Sequence, residues 1–246
     1  MKTSLTIAGS DPSGWAGVQA DLGAFAAFGV RGLSAITALT AQNGVRVKAT
    51  LVTPAAFLTR QVAVLMEEFN INSVKVGMTG SSANVAAIGR LLRKKGLPNC
   101  VLDPVFRSTS GYPLLDKAGV AAIRRILPLA AVVTPNLAEA ATLTGLKVRD
   151  VEEMELAASV IHSYGPAFVL VKGGHLKGAA VDVLYDGRGY NYFEAGRLRG
   201  GVPALHGTGC ILSAAIAAGL AKGAPVEKAV MDAKAHINRV IEERGR

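Results

Sequence analysis

Aromatic residues are scarce, at 5% of 246 positions, and there is a single tryptophan. Alanine, valine, leucine and isoleucine must therefore fill the core, and a chain that is half hydrophobic has enough of them. The same scarcity argues against nucleic acid as a partner, because no basic stripe is interleaved with aromatic rings. Cysteine is limited to Cys100 and Cys210, too few for a secreted disulfide framework. No apolar run reaches the roughly 18 residues of a membrane span without a charge, a glycine or a polar break. The opening residues 1–5 run straight into a strand pattern and lack the long apolar stretch of a secretory signal. Together these absences predict a cytoplasmic protein with no membrane partner. His162, His175, His206 and His236 show no metal-ligand spacing. No repeat, low-complexity tract or linker interrupts the chain, so residues 1–246 read as one domain.

Positive charge is abundant. Twenty-seven Lys and Arg against 18 Asp and Glu give a formal net charge of +9. Such an excess suits nucleic acid, an acidic membrane surface or anionic small ligands. The basic residues are scattered, however. Their densest group, Arg90, Arg93, Lys94 and Lys95, falls at a predicted helix end, where cations complement the dipole. A small anionic ligand is left as the expectation.

Glycine is also plentiful, with 28 residues, as many tight strand–helix turns require. β-rich runs at 5–8, 33–40, 47–52, 73–76, 100–104, 130–134 and 168–172 alternate with helical patterns. Helices are predicted at 18–28, 54–69, 81–95, 114–126, 137–144 and 151–164. Asp186-Gly187 joins runs 180–185 and 190–194 as a hairpin. Helices at 208–222 and 226–243 close the chain. This order predicts an α/β fold with a mostly parallel sheet covered on both faces. Ligands in such sheets lie beyond the carboxyl ends of the strands, which is where the conspicuous residues fall: residues 9–17, Gln42, Met78, Asp103, Asn136 and Lys172.

Four segments offer chemistry. In His206-Gly207-Thr208-Gly209-Cys210, small residues precede an apolar helix. Its exposed amides form an anion site, and a cysteine there has a depressed pKa. The competing reading is an ordinary glycine-rich helix start with a buried cysteine, and spacing alone does not choose. The segment is neither a Walker A sequence nor a dinucleotide fingerprint. In Thr134-Pro135-Asn136-Leu137-Ala138-Glu139, Asn136 and Glu139 share a face and can position hydrated Mg²⁺; they equally fit a capping box. Lys172-Gly173-Gly174 ends a strand, where a lysine facing a cleft neutralises a transferring phosphoryl group; a surface lysine before a loop is the alternative. The loop from Gly9 to Gly17 can wrap a substrate, with Asp21 on the following helix either binding a hydroxyl or ring nitrogen or lying solvated in the first turn.

Taken in order, these segments resemble the hydroxymethylpyrimidine/phosphomethylpyrimidine kinases of thiamin biosynthesis, within the ribokinase superfamily. The resemblance rests on Leu5-Thr6-Ile7-Ala8-Gly9-Ser10-Asp11-Pro12-Ser13-Gly14, on Thr37-Ala38-Leu39-Thr40-Ala41-Gln42-Asn43 and on Lys75-Val76-Gly77-Met78. Leu102-Asp103-Pro104-Val105, residues 134–140, Val171-Lys172-Gly173-Gly174-His175 and residues 206–210 complete it. It implies a ribokinase-like three-layer αβα sandwich using ATP and Mg²⁺, and a homodimer. By the same resemblance Gly9, Asp21, Gln42, Met78 and Val105 contact the pyrimidine, and Asn136, Lys172 and Thr208 serve ATP. Glu139 and Asp103 reach the metal through water. Gly207, Gly209, Cys210 and Lys172 carry catalysis, with Cys210 as base or the backbone as anion hole. Trp15 stands where the family has glycine, and Arg107-Ser108-Thr109-Ser110-Gly111-Tyr112 lacks a lysine and an aspartate that its relatives carry. Pyridoxal kinase and a non-catalytic pyrimidine-binding regulator are the alternatives.

Overall fold

Residues Thr3–Ser10 form β1, and all but the last are buried, so the strand reads as a continuous apolar run rather than an alternating one. Such a pattern demands cover on both faces. A computed structural model supplies it and describes residues 1–94, 97–174, 176, 180–195 and 207–244. The other strands are β2 (Arg31–Gln42), β3 (Val47–Val52), β4 (Ser73–Val76), β5 (Cys100–Leu102), β6 (Val132–Val133), β7 (Phe168–Val171), β8 (Ala180–Tyr185) and β9 (Tyr190–Ala195). They make one nine-stranded sheet in the order β3-β2-β1-β4-β5-β6-β7-β8-β9. The six central strands, β2 to β7 in that order, are parallel. Antiparallel strands close both edges: β3 on one side and the β8–β9 hairpin on the other.

Among the described residues the helices are α1 (Gly17–Ala27), α2 (Ala55–Glu68), α3 (Ser82–Leu92), α4 (Lys117–Arg124), α5 (Leu137–Thr144), α6 (Val151–His162), α7 (Thr208–Ala221) and α8 (Val226–Arg244). Successive strand residues face opposite cores. Leu102, Val133 and Val171 join the layer built with α2 to α6, while Val101, Val132 and Leu170 join that of α1, α7 and α8. This is the three-layer αβα arrangement expected. The alanine-rich α7 is buried from Ile211 through Ala221, which is how a core poor in aromatics closes. No helix among the described residues is long and apolar enough to cross a membrane.

Local chemistry explains the shifts from the expected boundaries. The helix expected from residue 114 begins at Lys117, because Asp116 caps it by accepting from the Gly119 N–H at 2.6 Å. Strand β5 stops at Leu102, ahead of Pro104, which has no N–H to donate. Helix α3 starts after Ser81, whose side chain accepts from the Asn84 N–H. The chain turns back at β1: β2 lies to one side and β4 to the other. Open α/β sheets bind ligands at such a reversal, beyond the carboxyl ends of the strands; there Met78 packs on Gly9 so closely that a Cβ on the glycine would lie 2.7 Å from the methionine sulfur.

Candidate active site

The parallel strands deliver their last residues to one rim of the sheet. Asp103 follows β5, Asn136 follows β6 and Lys172 follows β7. The Lys172 Nζ donates to Asp103 Oδ1 at 2.7 Å, and both side chains are largely buried. Thr134 Oγ1 donates to the same carboxylate oxygen at 3.1 Å, and Ser213 of α7 reaches the other oxygen at 3.4 Å. Asn136 and Lys172 are bridged in parallel, and the Lys172 N–H donates to the Pro135 carbonyl at 2.8 Å.

Helix α7 points its N-terminus at this cluster. A Cβ placed on Gly209 would lie 3.2 Å from Lys172 Nζ. The lysine ammonium therefore lies against the first turn of α7, where backbone N–H groups lack intrahelical partners. Gly207 caps the helix with φ 76°, a left-handed conformation that favours glycine, and a Cβ there would lie 1.8 Å from the Trp15 carbonyl oxygen. The loop from Gly9 to Gly17 is thus pressed onto the helix start. The Gly17 N–H lies near the Cys210 thiol and favours its ionised form.

Asn136 and Glu139 form a complete capping box on α5: the Glu139 N–H donates to Asn136 Oδ1 at 2.9 Å, and the Asn136 N–H donates to Glu139 Oε2 at 2.7 Å. Glu139 also lies within electrostatic reach of Lys172 and Asp103. Burial pushes the Glu139 carboxyl up to about 7; Lys172 opposes the rise and Asp103 adds to it. Burial draws Lys172 down, but Asp103 and Glu139 outweigh it and hold the ammonium above its ordinary value.

Two expectations need correction. Asp21 is neither solvated nor open to a substrate: it is fully buried, receives Lys75 Nζ at 2.9 and 2.8 Å on its two oxygens, and accepts from Thr6 Oγ1 at 2.6 Å. Its partner Lys75, also fully buried, remains charged because Asp21 offsets its desolvation. The Cys210 thiol is raised rather than depressed: burial dominates, and the nearby Lys75 only partly offsets it. Gln42 is half-buried at the end of β2, and Val105 is half-buried after Asp103. Thr208 opens α7. His175, His206 and residues 202–205 lie outside the described residues.

Sequence reasoning gave no role to Lys75, Thr134 or Ser213. Lys75 carried a signal: it is the one cation in the four-residue strand β4, every position of which is buried, and a buried lysine must have an anion. Ser213 carried none, since its role depends on α7 meeting the rim of the sheet.

A lysine ammonium held against a helix N-terminus, at the rim of a three-layer αβα sheet, is the arrangement of a small-molecule kinase with a ribokinase-like fold. The family profile for phosphomethylpyrimidine kinase matches residues 11–246. A hydroxymethylpyrimidine/phosphomethylpyrimidine kinase from Rhizobium meliloti is 48% identical over 241 residues, covering 97% of this chain and 90% of that protein. The crystal structure of a phosphomethylpyrimidine kinase from Clostridium difficile superposes with a TM-score of 0.86 at 38% identity, covering 98% of this chain and 100% of that one. A Staphylococcus aureus pyridoxal kinase, solved in complex with pyridoxal, gives a TM-score of 0.90 at 31% identity, covering 98% and 88%. The chain belongs to the phosphomethylpyrimidine kinase family, and membership implies ATP as phosphoryl donor.

Proposed function

We propose that this chain transfers the γ-phosphoryl group of ATP to the hydroxyl of 4-amino-5-hydroxymethyl-2-methylpyrimidine, then phosphorylates the monophosphate to the diphosphate. The observation that carries this reading is the Lys172 ammonium, held between Asp103 and the first turn of α7. Phosphoryl transfer leaves the protein little covalent work, so positioning and charge stabilisation dominate. Lys172 and the amides of Gly207, Thr208, Gly209 and Cys210 converge where the transferred oxygens would gather charge. Asn136 at the α5 N-terminus and Thr208 would hold the nucleotide phosphates.

The donor set suits Mg²⁺. Among the described residues no three His, Cys, Asp or Glu converge as a direct cage, but Asp103 and Glu139 are two hard carboxylates within electrostatic reach of each other. Mg²⁺ keeps most of its waters and binds through one or two carboxylates and substrate phosphates. It would supply charge neutralisation, and Asp103 and Glu139 would hold it through water.

At the acceptor end, Gly9, Gln42, Met78 and Val105 line the crevice at the carboxyl ends of β1 and β4. Asp21 acts beneath it by fixing Lys75. The raised Cys210 thiol is protonated at neutral pH, which favours the backbone anion hole over a standing thiolate base. Residues 1–246 act as one domain around the single sheet. They pair as a homodimer through β3, an edge strand with Leu51 69% and Val52 36% exposed; light scattering should give the mass of two chains.

The deciding assay incubates the chain with ATP, Mg²⁺ and either the free pyrimidine or its monophosphate, and weighs the products. Mono- and diphosphate are expected. A larger kcat/KM for pyridoxal in the same assay would replace the substrate, and no turnover by a folded, ATP-binding chain would overturn the reading.

A further inference from the structure

The chain leaves β7 under a constraint that the sheet does not supply. The β7–β8 ladder ends at the Val171–Val183 pair. Two residues later, the buried Gly173 N–H has no strand partner and donates instead to Asp182 Oδ1 at 2.8 Å. Gly173 is pressed against β8: a Cβ there would lie 1.9 Å from the Val181 carbonyl oxygen. The second oxygen of Asp182 is held by Lys234 Nζ of α8 at 2.7 Å. Lys234 also donates to the carbonyls of Ala180 and Phe193, so that it staples both strands of the hairpin from below. Asp182 and Lys234 are 6% and 9% exposed.

Stability does not account for this pair. Burying two charges costs desolvation, and apolar replacements of similar volume are often neutral or better. The distinctive result is geometric. Asp182 takes over from the ladder one residue beyond Lys172 and sets the direction in which the chain turns off the sheet. That turn aims the Lys172 side chain at Asp103 and Gly209.

We propose that Asp182 is a positioning residue for Lys172: it fixes the turn through the Gly173 N–H, while Lys234 of the C-terminal helix balances its buried charge. Helix α8 thereby holds the charge of Asp182 in place beneath the turn. This rests on the reading of Lys172 given above.

The test compares two paired substitutions. Asp182→Asn with Lys234→Met removes both charges but leaves a side-chain oxygen to accept from Gly173. Asp182→Ala with Lys234→Met removes the acceptor too. The Asn/Met chain is expected to hold kcat/KM for ATP within about threefold of the parent. The Ala/Met chain should lose on the order of 10²-fold, the cost of a misplacement of about 1 Å. KM for the acceptor should stay fixed in both, and melting temperatures should fall together. Equal losses in the two chains, no loss in either, or a loss confined to the acceptor KM would overturn the proposal. If the Ala/Met chain does not fold, Gly173→Ala replaces it, since the new methyl meets the Val181 carbonyl and shifts the same turn; unchanged turnover there would also overturn it. Calorimetric titration with ATP separates the two levels. No ATP binding by the parent chain would overturn the reading of the site and the positioning role with it, whereas parent-level kcat/KM for ATP in a folded, ATP-binding Ala/Met chain would overturn the positioning role alone.

Discussion

The two ends of the site are built in opposite ways. At the proposed phosphate end, Lys172, Thr134 and Ser213 bind Asp103 from the ends of β7 and β6 and from α7, beside the Asn136–Glu139 box of α5. At the proposed acceptor end, the loop from Gly9 to Gly17 is held through Asp11, which accepts from Ser13 and Ala16 within the loop and whose N–H donates to Gln19 of α1. The neighbouring β2–β3 ribbon leaves Leu39 48% and Leu51 69% exposed. A preorganised charge site gains from rigidity, because its dipoles need not reorganise during transfer. An acceptor pocket needs an opening through which the substrate can come and go.

Gly209→Asp should break the contrast most severely. The new carboxylate would stand beside Lys172, compete with Asp103 for it and repel phosphate oxygens. Turnover should fall about 10²–10³-fold, the scale of losing one preorganised donor, while acceptor affinity changes little. Steady-state kinetics with both substrates varied would check this, and equal losses in kcat and acceptor affinity would place Gly209 elsewhere.

The rigid end was also the more legible one. Asn136, Glu139, Lys172 and the Gly207–Cys210 segment each sit at a strand or helix terminus whose pattern the sequence displays, so topology alone gathers them. The order of strands and helices gave the parallel sheet and its two covers for the same reason. What could not be read was pairing across the fold. Asp21 resembles any first-turn acid until Lys75 is found 54 positions away. Cys210 resembles an activated helix-terminal thiol until its burial is known. Asp182 and Lys234 lie on separate elements with no shared spacing, and only packing brings them together.

Glu139→Gln tests the rigid end by pH. The carboxyl ordinarily titrates at 4.5 and is pushed up to about 7 in the folded chain. The folded state therefore holds its proton more tightly. That contribution to stability is fully present below the ordinary value and is lost as pH rises through about 7. The melting temperature of the parent should fall between about pH 5 and pH 8 more steeply than that of Glu139→Gln, which keeps the capping oxygen but does not titrate. Parallel declines would show that Glu139 is not the group responsible.

The smallest effect should come from the link that joins the acceptor loop to the rest of the molecule. Arg244, in the last turn of α8, lies 4.7 Å from the centre of the Trp15 ring, and the Trp15 carbonyl packs on Gly207. A cation–π contact at a partly exposed position contributes about 0.5–1 kcal/mol, which corresponds to a change of roughly two- to fivefold. Arg244→Ala should therefore raise the acceptor KM by that factor and leave the ATP KM alone. Trp15 is the only tryptophan, so its fluorescence reports the loop directly: emission should shift to the red in Arg244→Ala and recover when the acceptor binds. A change in the ATP KM instead would mean that α8 acts on this site through Lys234 and not through the acceptor loop.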